Sequence, residues 1–446
     1  MSVLGATGRG TRAPVQPRRN GRAMALVLPL MALTSLALAQ SPASGTVFLD
    51  RNGNGTREPG ETGIAGVVVS NQVQVVLTDG SGGFHFAGEG HGLVVVSVPN
   101  DYKAIGPAWK RAGARLEFAL SPAPAPSEFI FIHASDTHLD SASLPRMKLL
   151  RTLVDSIRPD FVIITGDLIR DALRVSDTVA AFRYELYLKE QGKISRPVWT
   201  APGNHEIFGI ERDKSHVSAD HPLYARKMYR HYLGPDYYSF NYGGVHFVAL
   251  NSEDYDDQSY YGHIDSVQVE WLKRDLAFVP DSVPVVTFNH IPFFTAVEMI
   301  NGYDEESVAP TIISVGGKKS FRHVVSNAGD LLRILRGHRY PLALGGHIHI
   351  RETLSYALDG QNTRFEQAAA VVGPSEAGPL HFSSGITVYR VRNREIGPGE
   401  FVPLPDPPEV GSAPAAGRDS SAHQWVFVSH EGEVQRLLTS FLLRHD

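Results

Sequence analysis

FIFIHASDTH, residues 129–138, is an apolar run that stops abruptly in an aspartate and a histidine, Asp136 and His138. Working outward, four more apolar runs end the same way. FVIITGD (161–167) ends in Asp167, and PVWTAPGNH (197–205) in Asn204 and His205. VVTFNH (285–290) ends in His290, and LALGGHIH (342–349) in His347 and His349. Runs of four to eight apolar residues bounded by Gly and polar residues read as buried strands. Helical patterns lie among them. LPRMKLLRTLVDSI (144–157) places Met147, Leu150, Val154 and Ile157 at helical spacing, with Pro145 in its first turn and Pro159 just past its end. A second helix is expected from about Asp265 to Phe278, with Asp265 and Gln268 at capping-box spacing. Strands alternating with helices predict an α/β fold.

Ligands in open α/β sheets sit at the carboxyl ends of strands. In extended chain, residues two apart face the same side, so Asp136-x-His138 and His347-x-His349 are each expected to send two side chains into one cavity. Imidazole with carboxylate suits zinc, manganese or iron better than calcium. The chain has no cysteine, which excludes disulfides, thiolate metal sites and cysteine nucleophiles. A net charge of -5 leaves no basic surplus for a phosphate backbone, so no nucleic-acid surface is expected. His133, His246 and His323 read as structural or surface histidines.

DTH, GD, GNHE, NHIP and GGHIH, in this order, resemble the signature of the calcineurin-like metallophosphoesterase superfamily. GPDYYSFNYGGVHFVALNS (234–252) and the QVEWL helix add to the likeness, which covers about residues 129–390. The resemblance implies a four-layer α-β-β-α sandwich. It implies two divalent metal ions (Mn, Fe or Zn), one on Asp136, His138, Asp167 and His349, the other on Asp167, Asn204, His290 and His347. Asp167 would bridge, and His205 would be the catalytic acid. The expected activity is hydrolysis of a small-molecule phosphate ester, monoester or diester, by a water between the two ions. The alternative is a non-catalytic cell-envelope binding protein that uses its N-terminal module. Relatives among purple acid phosphatases carry tyrosine three residues after the GD aspartate. Arg170 stands there in this chain, so Glu206 after GNH is not a sign of that subgroup.

Upstream, residues 40–120 are short Val-rich runs between Gly, Asn and Asp, which predicts a small all-β, sandwich-like domain. Within it DRNGNGTREPGE (50–61) matches a calcium-loop spacing, with Asp50, Asn52, Asn54, the Thr56 carbonyl and Glu61 as candidate calcium ligands. A polar Asn-Gly turn without an ion is the equal alternative. The module resembles β-sandwich units joined to some secreted metallophosphoesterases. SPAPAPS opens a Pro-rich linker at 121–128, expected to be a stiff spacer. The catalytic domain is expected over 129–393, with a loose Pro/Gly-rich connection and C-terminal segment, including a hairpin at WVFVSHEGEV, over 394–446. The first 39 residues hold five arginines and no acid and close on an apolar run, Met24–Ala39, that is short for a membrane span. This reads as a signal peptide, with the mature protein secreted or periplasmic and without a transmembrane anchor. Two long loops, 206–235 and 294–326, are where substrate choice is expected to lie; in the first, His216, His221, Tyr224 and Arg226 read as solvated rather than substrate-binding.

Overall fold

A computed structural model describes residues 42–306, 310–358 and 360–405. The signal-peptide reading and the WVFVSHEGEV hairpin fall outside them. Among the described residues no helix is long and apolar enough to cross a membrane.

Alternation of side chains explains the core. In the strand Glu128–Ala134, Phe129 and Phe131 point one way and Ile132 and Ala134 the other. Phe161–Thr165 does the same, with Phe161 and Ile163 opposed to Val162 and Ile164. These two strands and Val198–Ala201 are mutually parallel neighbours in one six-stranded sheet. The second six-stranded sheet holds Val245–Ala249, Pro284–Phe288 and Arg339–Gly345, also mutually parallel. Phe247, Phe288 and Leu344 join Phe131 and Phe161 in one apolar cluster that draws on both sheets. The opposite faces pack on helices through Met147 and Leu150 of Leu144–Ile157, Trp271 and Leu272 of Ser266–Leu276, and Leu331 of Ala328–Leu335. Burying both faces requires near-continuous apolar strands, which is what the sequence supplies. Asp265 caps its helix as its spacing predicts, accepting the Gln268 amide at 3.0 Å.

Residues 44–122 form eight strands in two four-stranded sheets around a separate core that includes Val47, Val69, Phe86, Val96 and Phe118. The Pro-rich segment does not hold this part away. Ser121 and Pro122 extend the strand Leu116–Pro122, where Pro122 pairs with Tyr102. The described residues form one compact unit. Hydrogen bonds cross the seam: Trp271 Nε1 donates to Ser70 Oγ at 2.8 Å, and Gln72 Nε2 donates to Asp236 Oδ1 at 2.9 Å.

The expected loose connection also begins later than its composition indicates. Glu400–Pro403 pairs with Gly385–Arg392 in the first sheet, and Val402 and Leu404 are buried. Proline fits there because an edge position has no ladder partner for the missing N–H. Alternating apolar residues outweigh the proline count.

Candidate metal centre

Each candidate side chain follows a strand by two to four residues. The strand ending at Ala134 delivers Asp136 and His138, and the one ending at Thr165 delivers Asp167. Ala201 precedes the short 3₁₀ turn Asn204–Glu206, Phe288 precedes His290, and Gly345 precedes His347 and His349. Parallel neighbours place these ends on the same side of each sheet.

The pairs do not converge by strand alternation. Asp136, His138, Asp167, His347 and His349 all have positive φ, between 38° and 70°. Non-glycine residues rarely occupy that region, and its cost concentrates at functional sites. Tight left-handed turns, not extended chain, aim these side chains inward. Close backbone approach completes the turns: a Cβ on Gly166, itself at φ 76°, would lie 2.6 Å from the His290 ring, and one on Gly203 2.3 Å from Asp167 Oδ1.

The result is two groups of ligand atoms sharing Asp167: Asp136, His138, Asp167 and His349, and Asp167, His290 and His347, each mutually within 4.8 Å. In the first, His349 Nε2 lies 3.1 Å from both Asp136 Oδ1 and His138 Nε2, and His138 Nε2 lies 3.5 Å from Asp167 Oδ2. In the second, His290 Nε2 is 3.2 Å from Asp167 Oδ1, from Asn204 Oδ1 and from His347 Nδ1. His290 Nδ1 donates to the Thr165 carbonyl at 2.7 Å, which turns its Nε2 toward Asp167, Asn204 and His347. The two oxygens of Asp167 thus face different groups. All predicted metal ligands therefore meet in one place, with Asn204 beside the second group.

Within the cluster, imidazoles and carboxylates shift one another. Burial pushes His138 down to about 3, reinforced by His205. Burial and His323 hold His347 well below the usual histidine range. Burial opposes charge on His290, yet Asp167 and Asp136 outweigh it and raise its pKa; His349 is raised in the same way by Asp136. Despite burial, Asp167 is held well below the carboxylate range by His205 and His290, and Asp136 is lowered by His349 and His290.

His205 stands at the edge of the cluster. Its Nδ1 donates to the Arg170 carbonyl at 2.6 Å, and its Nε2 lies 3.8 Å from Asp167 Oδ2. Glu206 is buried and ties two loops together: Oε1 accepts the Leu168 and Ile169 amides at 2.9 and 3.0 Å, and Oε2 accepts the Gly203 amide at 2.6 Å. Burial and Asp167 push it up to about 8.

His133 is structural, bonded to Thr165 Oγ1 at 2.9 Å, and His246 is too, between Asn241 and Asp275. His323 is not an ordinary histidine. Its Nδ1 lies 2.6 Å from His347 Nε2, so it fixes the ring whose other nitrogen faces the second group. No strand-end spacing marks it, because it follows the hairpin Ile312–Val315/Lys318–Phe321. The cleft above the cluster, about 450 Å³, is walled in part by the long loop at 294–326, including Glu298 and His323. His216, His221, Tyr224 and Arg226 do not line it; Arg226 pairs with Asp254 and Asp265.

The 50–61 loop satisfies its own amides. Asp50 accepts Gly53 and Gly55 N–H at 2.7 Å, and Glu61 accepts those of Arg51 and Glu58 at 3.0 Å. Asn52 and Asn54 accept the amides of Asn54 and Thr56 at 3.1 and 2.8 Å. Among the described residues it is not a converging group of three acids or histidines.

Residues 129–351, half of the chain, match the family model of calcineurin-like phosphoesterases. The chain is similar to Serine/threonine-protein phosphatase CPPED1 of Homo sapiens, 28% identical over 141 residues, which are 31% of this chain and 43% of that protein. It is also similar to 3',5'-cyclic-nucleotide phosphodiesterase alr5338 of Nostoc sp., 24% identical over 229 residues, 48% of this chain and 69% of that protein. The match thus spans less than half the length of the human phosphatase. A solved dimetal phosphatase from Danio rerio aligns at 16% identity and a TM-score of 0.39, over 59% of this chain and 93% of that chain, a likeness too remote to carry weight.

Proposed function

The chain belongs to the calcineurin-like phosphoesterase family, and from that premise we propose that it is a metal-dependent hydrolase of phosphate esters. The observation that carries this reading is the pair of ligand groups joined through Asp167. The donor set fits two divalent cations. Nitrogen and oxygen ligand atoms from separate loops crowd to 3.1–3.2 Å around Asp167, an arrangement that bound cations would stabilise. The same reading takes Asp136, His138, Asp167 and His349 as one ligand set and Asp167, Asn204, His290 and His347 as the other.

Cations bound there would neutralise phosphoryl oxygens and acidify a water. The protein's own part is positional. Asp167 fixes the spacing of the two sets through its separate oxygens, and the Glu206 carboxylate holds the turns that carry Asp167 and Asn204. His323 holds the His347 ring. His205, with Nδ1–H committed to Arg170, presents Nε2 to the cleft, where its proton can pass to the departing oxygen as the phosphorus–oxygen bond breaks.

The packing of one apolar cluster between two sheets and another beneath the helices supports the four-layer arrangement. The eight-stranded N-terminal part, with its own core, supports the reading of a separate β-sandwich-like module.

The reading is tested with aryl phosphate monoesters and diesters. Turnover should vanish on exhaustive chelation and return with manganese. Turnover that persists after chelation would overturn it.

A further inference from the structure

Beside the ligand cluster, the cleft has a wall of different character. It is apolar, from Val297, Ile348 and Ile350, which pack together in a small cluster of their own. Set in that wall are three carboxylates, Glu298, Asp304 and Glu376. Among the described residues that line the cleft there is no lysine or arginine. Glu298 is the telling member. It is only 8% exposed, and among the described residues no donor reaches its Oε2. Burial, with Asp304 nearby, raises its pKa above the usual range. An unpartnered buried carboxyl oxygen is costly, and a cationic ligand in the cleft would supply its partner. The three acids do not converge as the two ligand groups do, which argues against another inorganic ion. Apolar wall with carboxylate is instead the chemistry that receives an alkylammonium group: methyl or methylene surface against the isoleucines, positive charge against Glu298.

We propose that the substrate is a phosphate ester of an amino alcohol, its phosphate on the ligand cluster and its organic cation on Glu298, with Asp304 and Glu376 at the rim. This deepens the hydrolase reading and rests on it for the placement of the phosphate.

Two diesters with the same leaving group test it: p-nitrophenyl phosphorylcholine and methyl p-nitrophenyl phosphate, with the full-length, manganese-loaded protein. The expected result is a kcat/KM ratio favouring the choline ester by about tenfold or more. Glu298→Gln should bring the ratio toward one. Equal kcat/KM values in the unaltered protein, or a ratio that Glu298→Gln leaves in place, would overturn the proposal. If neither diester is turned over, calorimetric titration with phosphorylcholine and ethyl phosphate decides this inference alone. Tighter binding of phosphorylcholine, lost in Glu298→Gln, supports it, and equal binding overturns it.

Discussion

Two buried polar networks in this molecule have opposite characters. At the seam with the N-terminal β part, donors meet acceptors. The Asp236 carboxylate receives Arg230 at 2.7 and 2.9 Å, and Gln72 and Asn251 at 2.9 Å. Ser239 bridges Ser97 and Asp275 at 3.0 and 2.9 Å. In the cleft, imidazole and carboxylate ligand atoms crowd one another, held by five residues at positive φ. The seam residues bond mainly to one another, whereas the cleft gathers ligand groups around Asp167. One network is built for cohesion and the other gives up cohesion for binding.

Substitutions that separate stability from turnover sharpen that contrast. The largest effect is expected for Asp167→Asn, which keeps the shape and the tolerance for a left-handed backbone but removes the shared charge. Phosphoesterase activity should fall by about 10⁴-fold or more, about 5 kcal/mol of barrier. Thermal unfolding of the metal-free protein should change far less than activity does, because asparagine keeps the Oδ1 acceptor for the His205 amide. A large loss of stability with activity retained would reverse the assignment of the two networks.

Asp236→Ala should do the opposite. Stranding the Arg230 guanidinium should cost roughly 3 kcal/mol of stability, read by denaturant unfolding, with activity per folded molecule little changed. Its pH dependence has a definite sign. Burial opposes ionisation of Asp236, but Arg230, Arg226 and Asn251 outweigh it and hold its pKa below the ordinary carboxylate range. A depressed folded-state pKa gives stability that is present above the unfolded value, near 4, and lost as pH falls toward the folded value. The stability gap between Asp236→Ala and the unaltered protein should therefore be full at neutral pH and shrink below about pH 4.

His205→Ala should lower kcat by about 10²-fold on esters with poor leaving groups, and less on nitrophenyl esters, whose alkoxide needs no proton. An equal loss on both would move His205 from proton donor to metal or phosphate contact. The smallest effect is expected at the seam, where Trp271→Phe removes the indole donor to Ser70 and should cost about 1 kcal/mol with no change in kcat.

Legibility followed the same division. The cleft was readable because its residues sit just beyond apolar strands, where a pattern of period two breaks off. Asp136, Asp167, His290 and His349 needed no partner to be noticed. What escaped was geometry without a sequence period. The left-handed turns at Asp136 and His347 cannot be seen in spacing, since DxH and HxH look the same extended or bent. His323 escaped because its meaning lies in a contact with His347, 24 residues away. The seam escaped almost entirely: Gln72 and Asp236 are 164 residues apart and unremarkable singly. At 396–405, proline content argued for a loose chain, and burial of Val402 and Leu404 decided otherwise. Sequence displays side chains held by local structure and hides those whose role is set by a distant partner.

The central claim concerns cations, so the most direct measurement counts them. Metal-free protein titrated calorimetrically with manganese should take up two equivalents, and Asp167→Asn should take up at most one. Two equivalents bound undiminished by Asp167→Asn would contradict the account, since the ions would then be held by something other than the shared carboxylate.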